Sequence, residues 1–379
     1  MTYETNNYNM KGKILITGGA GFIGSHLTDA LIEQGYAVRI LDNLCEQVHG
    51  SVANIPEYLN PEAEFMYGDV CDKKAVEYAL QDVDAVFHLA AKVGASQSMY
   101  EIREYTAVNN FGTAVLLEAL IKNPVKKLIV ASSMSIYGEG LYVNDEGDKR
   151  MNCKRTISDF KKNVWEIHQE GYRWYPVPTP EDKEPNFSSV YALSKYDQEK
   201  LCLITGAAYR IPTVALRFFN VYGTRQALSN PYTGVLSIFA SRLLNGQSPL
   251  IFEDGNQKRD FIYVKDVARA CIAALELSAA NREVFNVGSG NQYTVTQIAQ
   301  KLAKVMNVDI APEATGQYRI GDIRHCFADI SKIKRLLNFT PQVNFDEGLT
   351  ELAEWLKTQA AVDNISNASI ELGRRGLTV

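Results

Sequence analysis

The chain has 379 residues, 46% hydrophobic and 22% charged, with a net charge of −5. That is long enough for two domains, or one large domain with an appended lobe, and the weakly acidic balance gives no electrostatic footprint for nucleic acid. No apolar run approaches the ~20 residues that span a bilayer, the opening MTYETNNYNM lacks the apolar stretch of a signal peptide, and six scattered cysteines without a C-x-x-C pair suit reduced thiols in a cytoplasm.

In chain order, KILITGG is a buried strand and the segment from Gly24 to Gln34 is a helix, with Ile23, Leu27 and Leu31 on one face. AVRILD is a second strand. EFMYGDV, AVFHLAA and KKLIVASS are three more, separated by helical stretches such as 105–122. This βαβ rhythm predicts an α/β protein with a Rossmann-type, doubly wound parallel sheet over residues 11–219. Residues 139–187 break the rhythm and read as a surface insertion rich in Trp, Tyr and Pro. From 220 to 357 the elements shorten and mix, which predicts a smaller mixed α/β lobe. Residues 358–379 form a polar, loosely held tail in which SIELGRRG can make a short helix.

TGGAGFIGSH, residues 17–26, follows the first strand and opens a helix, with Phe22 and Ile23 among the expected cofactor-binding residues. Gly18, Gly21 and Gly24 permit a tight turn and let the backbone approach a pyrophosphate, which the helix N-terminus then stabilises. Asp42, followed by Asn43, ends the second strand 18 residues past Gly24. An acid there binds a ribose 2′-hydroxyl and repels a 2′-phosphate, so the expected cofactor is NAD rather than NADP. Asp69, followed by Val70, ends strand three, where it can meet the adenine amine. Leu89, Ala90 and Ala91 end strand four as a small, apolar wall.

SSVYALSK, residues 188–195, sets Tyr191 and Lys195 four apart, on one helix face. Tyr196 and Lys200 repeat the spacing about 140° round the helix. Both pairs cannot face one ligand, and the spacing alone does not choose between them.

Ten segments decide it: TGGAGFIGSH, DNL, GDV, HLAA, VNNFGT, SSMSIYG, YALSK, RFFNVYG, RDFIYVKDVA and FNVGSG occur in this order. With them the chain resembles the extended short-chain dehydrogenases/reductases, and within those the NAD-dependent epimerase/dehydratase family acting on nucleotide sugars, from about residue 12 to 357 apart from the insertion. The resemblance implies that Tyr191 and Lys195 are the catalytic pair. Tyr191 is then the base for a sugar hydroxyl, its ordinary pKa of ~10 lowered by the Lys195 cation. Ser133 of SSMSIYG bonds the same hydroxyl, and Asn109 of VNNFGT orders the site near the lysine and the cofactor. Asn220, Arg259 and Arg319 hold the nucleotide diphosphate. Residues 227–235, ending at Val235, lie over the nucleotide. The resemblance also implies that about 260–280 return to the Rossmann domain. It further implies a homodimer through the helices at 105–122 and 190–208, whose apolar positions include Val108, Val115, Leu116, Leu193 and Leu201.

Family dehydratases carry Asp-Glu after the catalytic hydroxyl residue, and decarboxylases carry a Glu two before the motif's tyrosine. Here those positions are Met134 and Ser135, neither of which can act as acid or base in an elimination. What remains is reversible oxidation at one carbon, read as 4-epimerisation with NAD retained between turnovers. A nucleotide-sugar oxidoreductase releasing NADH, another reaction of the family and a non-catalytic NAD-sensing protein stay open as alternatives. PTPEDK, YALSKYDQEKL, TRQALSNPYTGV and GDIRHCFADIS look most like 4-epimerases of dTDP-6-deoxyhexoses, with UDP-hexoses as the other substrate class. Cys326 matches a position that limits room around the hexose, and a small residue there leaves space. The insertion holds only Cys153 and His168, short of the four ligands of a structural zinc. No metal is therefore expected, and Trp165, Trp174 and Tyr175 are expected to pack the insertion on the body.

Overall fold

Strand β1, Lys13–Thr17, is buried on both faces: Ile14 and Ile16 enter one core cluster and Leu15 the other. A strand covered on both sides belongs in the middle of a parallel sheet. In the computed structural model, which describes residues 11–50 and 54–378, it lies there. The opening decapeptide falls outside the described residues.

The sheet continues through β2 (Ala37–Asp42), β3 (Glu64–Tyr67), β4 (Ala85–His88), β5 (Lys127–Ser133), β6 (Thr213–Phe218) and β7 (Val284–Val287). The spatial order is β7-β6-β5-β4-β1-β2-β3, with every pairing parallel. Helices α1 (Phe22–Glu33) and α5 (Val264–Glu276) cover one face through Leu27, Leu31, Val267 and Cys271. Helices α2 (Lys73–Ala79), α3 (Gly112–Lys122) and α4 (Val190–Tyr209) cover the other through Val76, Leu116, Leu120 and Cys202. The chain leaves β1 toward β2 and returns on the opposite side as β4. This reversal opens a crevice at the carboxyl ends of both strands.

Four expectations need correction. The return to the first domain extends past 260–280, because β7 supplies the seventh strand and Ile330, Ile333 and Leu337 join the same core. The stretch 105–122 is not one regular helix: residues Thr106–Phe111 wind as a π-helical turn before α3 begins. Val115 and Leu116 are core residues, while apolar side chains left exposed on these helices and α4 include Phe111, Leu193 and Ile204. The tail is docked. Its helix Ile365–Arg374 buries Ala368 and Leu372, Val362 N–H donates to Ser229 Oγ at 3.0 Å, and Ile320 N–H donates to the Leu377 carbonyl at 3.0 Å.

The second lobe is built on Tyr222, Phe239, Phe261, Leu302, Phe345 and Leu352. The insertion has a small core of its own, Tyr142, Cys153, Ile167 and Trp174. Trp165 is half-buried against Phe160 and Tyr175 is exposed, so the aromatic contact with the body runs instead through Phe160, stacked on Tyr318 at 3.6 Å. Buried charge adds to it. Arg155 pairs with Glu139 at 3.3 Å and Glu253 at 2.7 Å, and Arg324 joins Glu166 of the insertion to Glu253 and Asp254 of the lobe.

Candidate active site

A cavity of about 770 Å³ lies at the carboxyl ends of the strands and reaches from the glycine turn to the second lobe. At one end it is lined by Gly18, Gly21, Phe22, Ile23 and Gly24. Gly18 has φ +72°, and a Cβ there would meet Ala90 N at 2.8 Å; one on Gly24 would meet the Gly18 carbonyl oxygen at 2.5 Å. Only glycine lets β1, β4 and α1 close up this far. Helix α1 starts after Gly21 without a side-chain cap and with no acid in its first turn. Its first N–H groups are therefore left for an anion.

The neighbouring strand ends bring their residues to the same wall. Asp42 accepts from Ala20 N–H at 3.0 Å and Leu44 N–H at 2.9 Å, which locks its carboxylate at the cavity edge. Asn43 donates to Asp69 at 2.8 Å, and Cys71 N–H donates to the other Asp69 oxygen at 2.8 Å. Burial pushes the Asp69 carboxyl up, but these bonds hold it below its ordinary value. Val70, Leu89, Ala90 and Ala91 line the apolar side.

Further along, Ser133, Tyr191 and Lys195 line the cavity together, whereas Tyr196 and Lys200 do not. Ser133 ends β5 and exchanges hydrogen bonds with Ser135, accepting from its N–H at 3.1 Å. Ser189 caps α4 by accepting from Ala192 N–H at 3.1 Å, so Tyr191 falls in the first turn. Its own N–H donates to Ser98 Oγ at 2.9 Å, and its ring meets the edge of Tyr105 at 6.3 Å. Tyr196 stacks at a tilt on Phe187 and takes the Lys200 ammonium over its ring at 5.1 Å, on another face of α4.

The expected lowering of the phenol by Lys195 is not what this arrangement produces. Burial raises the Tyr191 phenol, and the Ser133 hydroxyl is the influence that lowers it. The Lys195 ammonium instead donates to Gln198 Oε1. Burial lowers Lys195 to about 8, against the raising influence of Cys202 and Glu199. Asn109 is fully buried behind the cavity wall. It accepts from Lys92 N–H at 2.8 Å and donates to Ser194 Oγ at 2.9 Å, beside Lys195. The π-helical turn that carries it supplies the reach, a use such turns often serve near functional sites.

At the far end Asn220, Val235, Arg259 and Arg319 line the cavity. Arg259 donates to the Arg324 carbonyl at 2.8 Å, and Arg319 donates to Asp322 at 2.9 Å with its guanidinium 4.3 Å over the Phe252 ring. Asn220 Oδ1 and Gln257 Oε1 are buried here without a partner, as polar atoms are when a ligand is to satisfy them. Cys326 is different. It is fully buried in the core, its thiol toward Thr179 Oγ1 at 3.9 Å, and it is absent from the lining. Its side chain therefore does not set the room around a sugar.

Residues 14–161 and 171–288 match the family model described as "NAD dependent epimerase/dehydratase family". The chain belongs to that family. It is 33% identical over 350 residues to the dTDP-L-rhamnose 4-epimerase of Burkholderia thailandensis, covering 91% of this chain and 94% of that one. It is 31% identical over 361 residues to the UDP-N-acetyl-alpha-D-glucosaminuronate decarboxylase of Bacillus cytotoxicus, covering 92% and 98%. Among solved structures, the UDP-glucose 4-epimerase of Thermotoga maritima with UDP-glucose superposes with a TM-score of 0.75 at 35% identity, over 91% of this chain and 98% of that one. The family's cofactor is NAD, and the glycine cradle, the uncapped helix and the locked Asp42 fit it.

Several members of this epimerase/dehydratase site were not legible beforehand. Ser98, Tyr105, His88 and Thr113 converge on the Tyr191–Lys195 pair from four separate elements, and Gln198 from the pair's own helix. Only Gln198 carried a local signal, three residues after Lys195 on the same helix.

Proposed function

We propose that this chain is an NAD-dependent nucleotide-sugar 4-epimerase. The observation that carries the reading is the set of groups around Tyr191. Ser133 and Lys195 share its cavity, while Met134 and Ser135 stand where an elimination or decarboxylation would need a carboxylate. Tyr191 takes the proton of the C4 hydroxyl, and Ser133 Oγ bonds the same oxygen. When bound, NAD supplies the reversible hydride chemistry at that carbon. Arg259 and Arg319 grip the diphosphate through their planar donor forks and leave the hexose free to turn between the two transfers. Tyr191 then returns the proton to the oxygen on the opposite face. Net redox is zero, so the cofactor stays.

We infer a dTDP- or UDP-linked hexose or 6-deoxyhexose, with the dTDP-6-deoxyhexose preferred. The segments PTPEDK, YALSKYDQEKL, TRQALSNPYTGV and GDIRHCFADIS and the Burkholderia relative support this. The Cys326 argument does not, given where that residue lies. The test is a side-by-side NMR assay with dTDP-L-rhamnose, UDP-glucose and UDP-N-acetylglucosamine. Turnover of a UDP sugar with none of the dTDP sugar defeats the preference. NADH released in proportion to product defeats epimerisation in favour of an oxidoreductase.

A further inference from the structure

Behind the catalytic pair lies a buried polar chain that the reaction does not by itself require. Lys195 has donors and no acceptor, so the Gln198 atom it contacts is the amide oxygen. The Gln198 amide nitrogen then faces the other way, 2.9 Å from His88 Nε2 and 3.0 Å from Thr113 Oγ1. A nitrogen that donates to His88 Nε2 requires that atom to be a lone pair. With the ring proton on Nδ1, donated to Thr17 Oγ1 at 2.8 Å, Nε2 is free to accept from Gln198, and it also lies 2.9 Å from Thr113 Oγ1. Thr113 in turn donates to the Asn109 carbonyl at 2.6 Å.

The other charges near Lys195 are accounted for. Glu199, the next residue on α4, is held by Arg217 of β6 at 3.0 and 2.8 Å and accepts from Ser132 of β5 at 2.7 Å. Cys202 on α4 is a fully buried thiol pushed up to about 12, hence neutral. His88 of β4 is lowered to about 3 by burial and by Lys195, hence also neutral. Tyr191 shares the helix face. From α3 and β1 only the hydroxyls of Thr113 and Thr17 approach. Among the described residues, Gln198 Oε1 is the hydrogen-bond acceptor for the ammonium.

We propose that Gln198 is a positioning residue for Lys195: its amide, clamped by His88 and Thr113, presents a fixed oxygen that keeps the buried ammonium protonated and aimed during proton transfer at Tyr191. An ammonium buried without an acceptor sheds its proton more readily. Gln198→Leu therefore lowers the Lys195 midpoint by about one to two pH units, the equivalent of a hydrogen bond to a charged group. Gln198→Glu places a carboxylate there and raises it. The two replacements move the midpoint in opposite directions, which loss of packing cannot do.

The direct readout is NMR of protein labelled with 13C at lysine Cε. The Lys195 signal is assigned by its loss in Lys195→Met and titrated in wild type and both variants. Opposite displacements are the expected result. No displacement in either variant, or displacement of both the same way, overturns the proposal. Should Gln198→Leu fail to fold, Gln198→Glu decides alone, and an unmoved or lowered midpoint overturns it. The activity arm rests on the epimerase reading: the alkaline limb of kcat/KM for dTDP-L-rhamnose or UDP-glucose follows the NMR midpoint, with kcat rather than KM affected. If neither sugar is turned over by wild type, that reading fails while the titration still decides the role of Gln198.

Discussion

Replacing Arg324 by methionine should loosen the insertion from the substrate lobe. The guanidinium is fully buried and shared by three carboxylates: Glu166 at 2.6 Å, Glu253 at 2.8 Å, and Asp254 at 2.6 and 3.0 Å. Methionine fills most of the volume and removes the charge. Breaking a buried ion pair from one side typically costs ~3–5 kcal/mol. The lower end applies, because each carboxylate keeps one partner: Arg155 for Glu253, His325 for Glu166, and Asn256 for Asp254. At an unfolding entropy of ~2.1 cal/mol/K per residue, a chain of 379 residues shifts by about 1–1.5 °C per kcal/mol, so a loss of about 3 kcal/mol lowers Tm by about 3–5 °C. The pH dependence has a definite sign. In the wild type burial lowers His325 and Glu166 raises it, with Arg324 adding to the lowering. Without Arg324 the histidine pKa rises, so its protonation offsets part of the loss at low pH. The variant should be less impaired at pH 6 than at pH 8. Because Arg259 donates to the Arg324 carbonyl, KM for the nucleotide sugar should rise before bound NAD is lost. Circular dichroism melts at both pH values and KM measurements test this. A destabilisation below about 1 kcal/mol, as for a surface pair, with no pH dependence, would refute the buried-charge account of the insertion.

Tyr191→Phe should lower kcat by about 10²–10⁴-fold with NAD retained, whereas Tyr196→Phe, packed on Phe187 away from the cavity, should change it little; equal losses would sink the assignment. Purified protein should carry NAD(H), and Asp42→Ala should weaken NAD and admit NADP; mass spectrometry of denatured protein and cofactor titration check both. Truncation after Asp363 removes the helix Ile365–Arg374 and the contact of Leu377 with Ile320, next to Arg319, so KM for the nucleotide sugar should rise with kcat preserved; steady-state kinetics decide, and an unchanged KM refutes the role of the tail. The exposed Phe111, Leu193 and Ile204 should be covered in a homodimer. Sedimentation of wild type and Ile204→Glu at micromolar concentration tests this, and a wild-type monomer overturns it.

The sequence by itself carried the architecture and one half of the site. Doubly buried strands such as Ile14–Ile16 and Ile129–Ala131 advertise a parallel sheet through their continuous apolar runs. The cofactor end is written locally too: Gly18 to Gly24, Asp42 and Asp69 each sit just past a strand, and strand ends of one parallel sheet necessarily converge. The Tyr191–Lys195 pair was visible in its spacing, but the choice over Tyr196–Lys200 needed the surrounding motifs. Tertiary structure decided what depends on side chains meeting from distant segments. The resemblance placed Cys326 at a position that limits the sugar pocket, yet its thiol is fully buried in the core beside Thr179. Lys195 sharing a helix face with Tyr191 suggested a direct charge effect, yet Gln198, fixed by His88 from another strand, takes the ammonium. The tail looked loose because its sequence is polar, and the insertion looked attached by its aromatic residues alone. They are held by Arg155, Arg324 and backbone hydrogen bonds to Ser229 and Ile320. Such polar attachments have no periodicity along the chain and arise only when the fold brings both partners together.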